Sequence, residues 1–109
     1  MSVPLVARQG AVSYTLPAAT PTTVDLPIDG ARDWLALVKN TGSNPVTAGT
    51  VARSPTGDGF EDAVAIPVGD LPLAGGTMPV EGTAAPLVTL RLTLTSALGT
   101  TLTAELGGI

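Results

Sequence analysis

The sequence predicts an all-β fold, a two-sheet β-sandwich of about eight short strands with no substantial helix. Ten prolines and thirteen glycines are spread along the 109 residues and divide the chain into pieces of strand length. Apolar and polar residues alternate in several pieces, and apolar residues nowhere recur at helical spacing over three turns. The length suits a single domain, residues 1–109, with a jelly-roll-like or immunoglobulin-like order of strands.

Residues 86–107 show the most regular alternation in the chain, and they predict a closing β-hairpin. One face of each strand is aliphatic and the other polar, which is the period of two of a half-buried strand. A three-residue loop at 97–99, with Gly99 in a left-handed conformation, would bring the two aliphatic rows side by side. The pairs predicted by this register are Leu90–Leu106, Leu92–Ala104, Leu94–Leu102, Arg91–Glu105 and Thr93–Thr103.

Earlier pieces of the chain predict the remaining strands. Pro27 has no N–H to donate to a sheet, so its strand should lie at an edge. Residues 34–38 are all apolar, which is typical of a strand covered on both faces, and the turn at 40–44 would pair it with the following strand. Residues 1–9 are expected to form either an extended arm or a loosely held terminus. The predicted strands are 10–16, 22–28, 33–40, 46–53, 63–68 and 78–80.

The composition argues against several classes of partner. A net charge of −4 and five scattered cations argue against nucleic acid, which requires clustered Lys and Arg. No apolar stretch approaches the ~20 residues of a membrane helix, and no signal peptide is visible, so we expect no membrane partner and synthesis in the cytoplasm. Only 13% of the residues are charged, against ~25% in typical domains. We therefore expect part of the surface to be covered by other copies of the chain or by a larger protein shell.

The residue types argue against an enzyme. The chain has no histidine and no cysteine, so it lacks the usual general base, the usual zinc ligands and a thiol nucleophile. We expect no catalytic residues and no cofactor. Asp58, Glu61 and Asp62 are weak calcium candidates because calcium prefers oxygen ligands, but the regular D-x-D-x-D-G spacing is missing. Solvated turn residues are the favoured interpretation, and a calcium-dependent enzyme or lectin is a third hypothesis.

Two groups of residues are candidates for contact with a partner. The first group is on the strand that contains Trp34. Tryptophan is enriched in binding hot spots, although an ordinary core position is the favoured alternative for Trp34. Leu35 and Leu37 belong to the same apolar strand. The outer face of the predicted hairpin is flat and weakly charged, and so poorly defended against protein contact. Its candidate residues are Thr89, Arg91, Thr93, Thr101, Thr103 and Glu105.

Parts of the sequence resemble small all-β virion proteins of tailed bacteriophages. Residues 34–46, WLALVKNTGSNPV, and 53–60, RSPTGDGF, are similar to their N-T-G-S/A-N turn and S-P-D-G loop. Residues 90–101, LRLTLTSALGTT, resemble the hairpin that closes several of them. The resemblance covers about half the chain. It implies a compact β-sandwich in a virion, most specifically a head decoration or cement subunit, for which a trimer is the favoured oligomer, or a tail accessory part.

The N-T-G-S turn also occurs in immunoglobulin-like modules of bacterial surface proteins. This second resemblance implies an alternative function, a binding module that uses loops such as 54–62 to hold a sugar or a peptide.

Overall fold

The computed structural model describes residues 10–56, 58–82 and 87–108, and it confirms the predicted two-sheet β-sandwich. Eight strands form two sheets of four, and the one helix in these ranges is a 3-10 turn at Val68–Asp70. No helix among the described residues has the length and apolar character that a membrane crossing requires. The strands are β1 (Gly10–Leu16), β2 (Thr22–Ala31), β3 (Trp34–Asn40), β4 (Ala48–Ser54), β5 (Val64–Ala65), β6 (Thr77–Gly82), β7 (Leu87–Thr95) and β8 (Thr100–Gly108).

The strands follow the order of a jelly roll. Sheet I has the order β1–β8–β3–β6 and sheet II the order β2–β7–β4–β5, with antiparallel pairing throughout. Each step along the chain crosses from one sheet to the other, except the step from β4 to β5. A double sheet wound in this way is a jelly roll, whereas an immunoglobulin sandwich keeps several consecutive strands in one sheet. Of the two predicted strand orders, the chain adopts the jelly roll.

The predicted closing hairpin is wrong, because β7 and β8 lie in different sheets. β7 pairs with β2 and β4, whereas β8 pairs with β1 and β3. Their aliphatic rows therefore face each other across the interior instead of lying side by side. Gly99 in the connecting loop has the predicted positive φ, 85°. The buried residues of the two rows are Leu90, Leu92, Leu94, Leu102, Ala104 and Leu106.

β3 lies between β8 and β6 in sheet I, so its predicted pairing with β4 is also wrong. Val38 lies opposite Ala104 of β8. The strand is fully covered on one face only: Trp34, Ala36 and Val38 are buried, whereas Leu35 on the other face is 41% exposed. An all-apolar run here marks a half-buried strand whose outer face also carries leucines.

The sheet edges agree in part with the sequence. β2 carries Pro27 and lies at an edge of sheet II, as predicted. β5 is shorter than the predicted strand 63–68, because Pro67 leads directly into the 3-10 turn. β6 extends beyond the predicted 78–80. The predicted arm, residues 1–9, lies outside the described residues.

The interior between the sheets is mainly aliphatic, and burying each Leu or Val there contributes roughly 1.5–3 kcal/mol. Trp34 is the exception, packed at the end of β3 with only 4% of its surface exposed. Its indole lies against Gly82 of β6, where a Cβ atom would come within 2.5 Å of the ring nitrogen. The Arg53 guanidinium lies 5.8 Å from the centre of the indole ring. Trp34 therefore fills the core at the point where the two sheets end.

Candidate functional site

Four connections between strands meet at one end of the sandwich. We call this surface the loop end; it consists of residues 17–21, 41–47, 66–76 and 96–99. Hydrogen bonds join its loops directly. The Ala19 N–H donates to the Ser96 carbonyl at 2.8 Å, and the Val46 N–H donates to the Pro72 carbonyl at 3.1 Å. The loops therefore form one continuous surface.

Asn40, the last residue of β3, lies at the centre of the loop end and is 1% exposed. Its amide nitrogen donates to the carbonyls of Asn44, at 2.7 Å, and Pro72, at 3.2 Å. Its amide oxygen accepts from the Thr100 hydroxyl at 2.7 Å and from the Gly42 N–H at 3.1 Å. All four hydrogen-bonding positions of the amide are thus used. A satisfied buried amide fixes the conformation of every loop segment that it contacts.

Two further side chains extend this network. The Asn44 amide donates to the Gly99 carbonyl at 2.7 Å, and the buried Ser96 hydroxyl donates to the Pro45 carbonyl at 2.7 Å. The turn at 40–44, predicted as a hairpin loop, instead ties strands of the two sheets together. One signal in the sequence indicates this role. Asn40 lies two residues after Val38 and therefore on the same inward face of β3. A polar side chain at such a position is buried and needs hydrogen-bond partners.

Charge is distributed unevenly between the two ends of the sandwich. The loop end carries a single charged residue, Asp70, together with exposed Leu73 and Leu98, which are 70% and 72% exposed. The opposite end contains the turn at 32–33 and the loop at 55–62. We call it the acidic end, because the exposed charged residues of these two segments are one cation and four carboxylates: Arg32, Asp33, Asp58, Glu61 and Asp62. One end of the molecule therefore carries little charge and two exposed leucines, and the other is acidic.

The residues predicted to form one polar contact face lie on opposite sides of the sandwich. Thr89, Arg91 and Thr93 are on the outer face of sheet II, in register with β2 and β4. Thr101, Thr103 and Glu105 are on the outer face of sheet I, beside Leu35 and Leu37 of β3. The prediction of a single face is wrong because it depended on the hairpin.

The predicted Arg91–Glu105 pair is replaced by two separate ion pairs. Arg91 contacts Asp25 at two points, Nε to Oδ1 at 2.7 Å and Nη2 to Oδ2 at 3.0 Å. These hydrogen bonds hold the pKa of the Asp25 carboxyl below its usual value. Glu105 accepts from Lys39 at 3.3 Å on sheet I. Each outer face thus has its own ion pair.

Phe60 holds the 55–62 loop against sheet II. Its ring centre lies 3.8 Å from the Arg91 guanidinium, a cation–π contact. The adjacent Glu61 N–H donates to the Arg53 carbonyl at 2.8 Å. The loop therefore covers part of the outer face of sheet II around Arg91.

The acidic loop does not assemble a metal site in the part of the chain that the structure describes. No group of three or more His, Cys, Asp and Glu side chains comes together in those ranges. Asp58, Glu61 and Asp62 are all exposed. The Asp58 N–H instead donates to the Thr56 hydroxyl at 3.3 Å, which is a local turn contact.

Neither a protein-family model nor a curated protein matches the sequence. Among solved structures, the chain is similar to the mitogen derived from Yersinia pseudotuberculosis, with a TM-score of 0.51 and 9% identity over 92% of this chain and 84% of that one. It is also similar to a chain of the disulfide-linked pili that form Bacillus endospore appendages, at TM-score 0.42 and 12% identity, covering 91% and 82% of the two chains. The P-domain of Penaeus vannamei nodavirus matches at TM-score 0.39 and 12% identity, covering 92% and 97%. At 9% identity, the likeness to the mitogen shows a shared fold.

Proposed function

We propose that the protein is a non-enzymatic structural subunit of a tailed-phage virion, specifically a homo-oligomeric head decoration or cement subunit that seats its loop end on the capsid shell. The observation that carries the proposal is the separation of charge between the two ends. A decoration subunit needs one surface that packs against protein and another that stays in water, and the loop end and the acidic end have these properties.

The loop end suits permanent contact with a protein. Ordering loops on binding costs roughly 0.5–1.5 kcal/mol for each immobilised side chain. Here the hydrogen bonds of Asn40 and Asn44 already hold the loops in place. Leu73 and Leu98 project from this fixed surface as apolar anchors. Their burial against a shell would each gain free energy with little loss of conformational freedom.

The acidic end suits the outside of a particle. Its carboxylates are exposed, and like charges on neighbouring subunits keep particles apart in solution. The 55–62 loop has one aromatic ring, Phe60, and that ring is stacked on Arg91. This arrangement disfavours the alternative function, a surface-protein module that would use the same loop for a sugar or peptide.

The proposal is tested with particles induced from the source organism. They are purified on a density gradient and searched for this chain by mass spectrometry. We then expect the purified chain to co-sediment saturably with heads stripped of their accessory proteins. Absence of the chain from every particle fraction, with no co-sedimentation, would overturn the proposal.

Variants locate the contact surface. Leu73→Asp and Leu98→Asp place a charge on the loop end, and we expect each to weaken head binding at least about tenfold, the effect of burying one uncompensated charge. Leu35→Asp is the matched control, because Leu35 is an exposed leucine on the outer face of sheet I. Loss of binding in Leu35→Asp alone would assign the contact to the sheet face and contradict the role of the loop end.

A further inference from the structure

The four sheet edges differ in how they are protected against pairing with another chain. An exposed edge strand presents unpaired N–H and C=O groups, and proteins blunt such edges with proline, charge, bulges or short strands. β2 has Pro27, a charged Asp25 and a break in register between Pro27 and Ala31. β6 has Pro79 and Glu81. β5 is only two residues long.

β1 has none of these features. It is seven residues long, its sequence GAVSYTL contains no proline and no charge, and no described strand lies on its free side. Val12 is on the inward face, in register with buried Ala104, yet it is 47% exposed because the sheet ends there. Ser13 and Thr15 are exposed on the outer face. Within the described ranges, the edge is therefore open in both its backbone and its side chains.

We propose that β1 pairs antiparallel with β1 of a second copy of this chain about a two-fold axis, joining two copies of sheet I into one continuous sheet. A two-fold contact uses the same patch on both partners. With the axis at Ser13, Val12 of one copy lies opposite Tyr14 of the other on the same face, so the exposed valine is covered by an aromatic ring.

Charge favours a second copy as the occupant of this edge. The chain has a net charge of −4, so most contacts between copies bring like charges together. β1 is uncharged along its whole length, and it pairs with itself without that repulsion. This contact gives a dimer in place of the trimer expected from the resemblance, and it is independent of whether the loop end binds a shell.

A cysteine experiment tests the contact directly, because the chain has no cysteine of its own. Directly opposed residues of antiparallel strands have Cα atoms about 4.5–5.5 Å apart, within the range of a disulfide. We expect Ser13→Cys to form a disulfide-linked dimer rapidly under mild oxidation. Thr77→Cys is the matched control, an exposed threonine on the other edge strand of sheet I, and it should remain uncrosslinked.

Light scattering on the unmodified chain completes the test. We expect the mass of a dimer or of a whole-number multiple of it, and Ser13→Glu should give a monomer with an unchanged circular dichroism spectrum. A monomeric or trimeric wild type, or equal crosslinking of the two cysteine variants, would overturn the proposal. Loss of the dimer on deletion of residues 1–9 would also overturn the proposal, because it would assign the contact between copies to that segment and not to β1. Head binding by a chain that does not dimerise through β1 would overturn this contact and leave the contact of the loop end with the shell standing.

Discussion

Arg91 and Asp25, on neighbouring strands of sheet II, form a two-point ion pair with Nε–Oδ1 and Nη2–Oδ2 distances of 2.7 and 3.0 Å. The two contacts hold the guanidinium in one orientation, and the centre of the Phe60 ring lies 3.8 Å from it. The ion pair is solvent-exposed, so its main effect is to provide a fixed platform for the 55–62 loop.

Phe60→Ala should release this loop from sheet II. The loop would lose its contact with Arg91, and local opening of a segment raises its cleavage by proteases. We expect cleavage after Glu61 by a Glu-specific protease to become several-fold faster, with little change in the midpoint of thermal unfolding. Phe60→Tyr keeps a ring over the guanidinium and is the control. Equal cleavage rates in wild type and Phe60→Ala would show that other contacts hold the loop.

Tyr14 should make the protein sensitive to alkaline pH. Burial raises the pKa of Tyr14 from 10.0 to about 12, and its hydroxyl has no hydrogen-bond partner among the described residues. The unfolded chain loses this proton near pH 10 and the folded chain near pH 12. The contribution of neutral, buried Tyr14 to the free energy of unfolding is therefore fully present below pH 10 and is lost as the pH rises through 12. Over this range the free energy of unfolding falls by no more than about 1.4 kcal/mol per pH unit.

Tyr14→Phe removes this titration. The variant should be at least as stable as wild type at pH 7, because it also removes an unpaired buried hydroxyl. Urea unfolding at pH 7, 10 and 11.5 gives the comparison. The prediction fails if the wild type and Tyr14→Phe lose stability equally above pH 10.

Asn40→Asp should destabilise the loop end although it only replaces the NH2 group of the side-chain amide by an oxygen. A carboxylate cannot donate to the carbonyls of Asn44 and Pro72, and it would place negative charge beside them in a buried site. Leaving such groups unpaired costs roughly 1–3 kcal/mol each, so we expect the free energy of unfolding to fall by at least about 2 kcal/mol.

Thr20→Ala is the matched control for Asn40, because Thr20 is an exposed residue of the loop end whose side chain donates one local hydrogen bond, to the Ala18 carbonyl. Its change in unfolding free energy should stay within about 0.5 kcal/mol. A similar small effect for Asn40→Asp would mean that the amide does not hold the loops.

Gly82→Ala should disturb the packing of Trp34. A Cβ at this position would lie 2.5–2.7 Å from three atoms of the indole, and overpacking of this kind costs roughly 1–3 kcal/mol. Gly59→Ala is the control, since a Cβ there meets nothing within 4 Å. Tryptophan fluorescence and urea unfolding measure the effect together. An unshifted emission spectrum and an unchanged midpoint in Gly82→Ala would contradict the close packing.

The sequence predicted which residues of β7 and β8 are buried, but not which strands pair. Alternation says that one face of each strand is covered. It is equally satisfied when Leu92 and Leu102 lie side by side in a hairpin and when they face each other across a sandwich. Only the long-range partners distinguish the two cases. Arg91 finds Asp25, and Glu105 finds Lys39, both far away along the chain.

The candidate surface was also only partly predictable. The low charge fraction indicated that some surface is covered, but the loops that form the loop end are scattered along the sequence, from residue 17 to residue 99. Their lack of charge becomes a single feature only once the strand order brings them together. The type of Trp34 left a contact and a core position open, with the core position favoured, and the structure buries Trp34 at the end of the core.

The pairing of β1 with β8 joins the first and last strands that the structure describes. Sheet I therefore cannot be completed until β8 has left the ribosome, after the seven other strands. Folds dominated by such distant pairings fold slowly, and incomplete chains expose apolar strands that are prone to aggregate. During synthesis, the leucine rows of β7 and β8 leave the ribosome after the six other strands, which shortens the time in which they lack a partner.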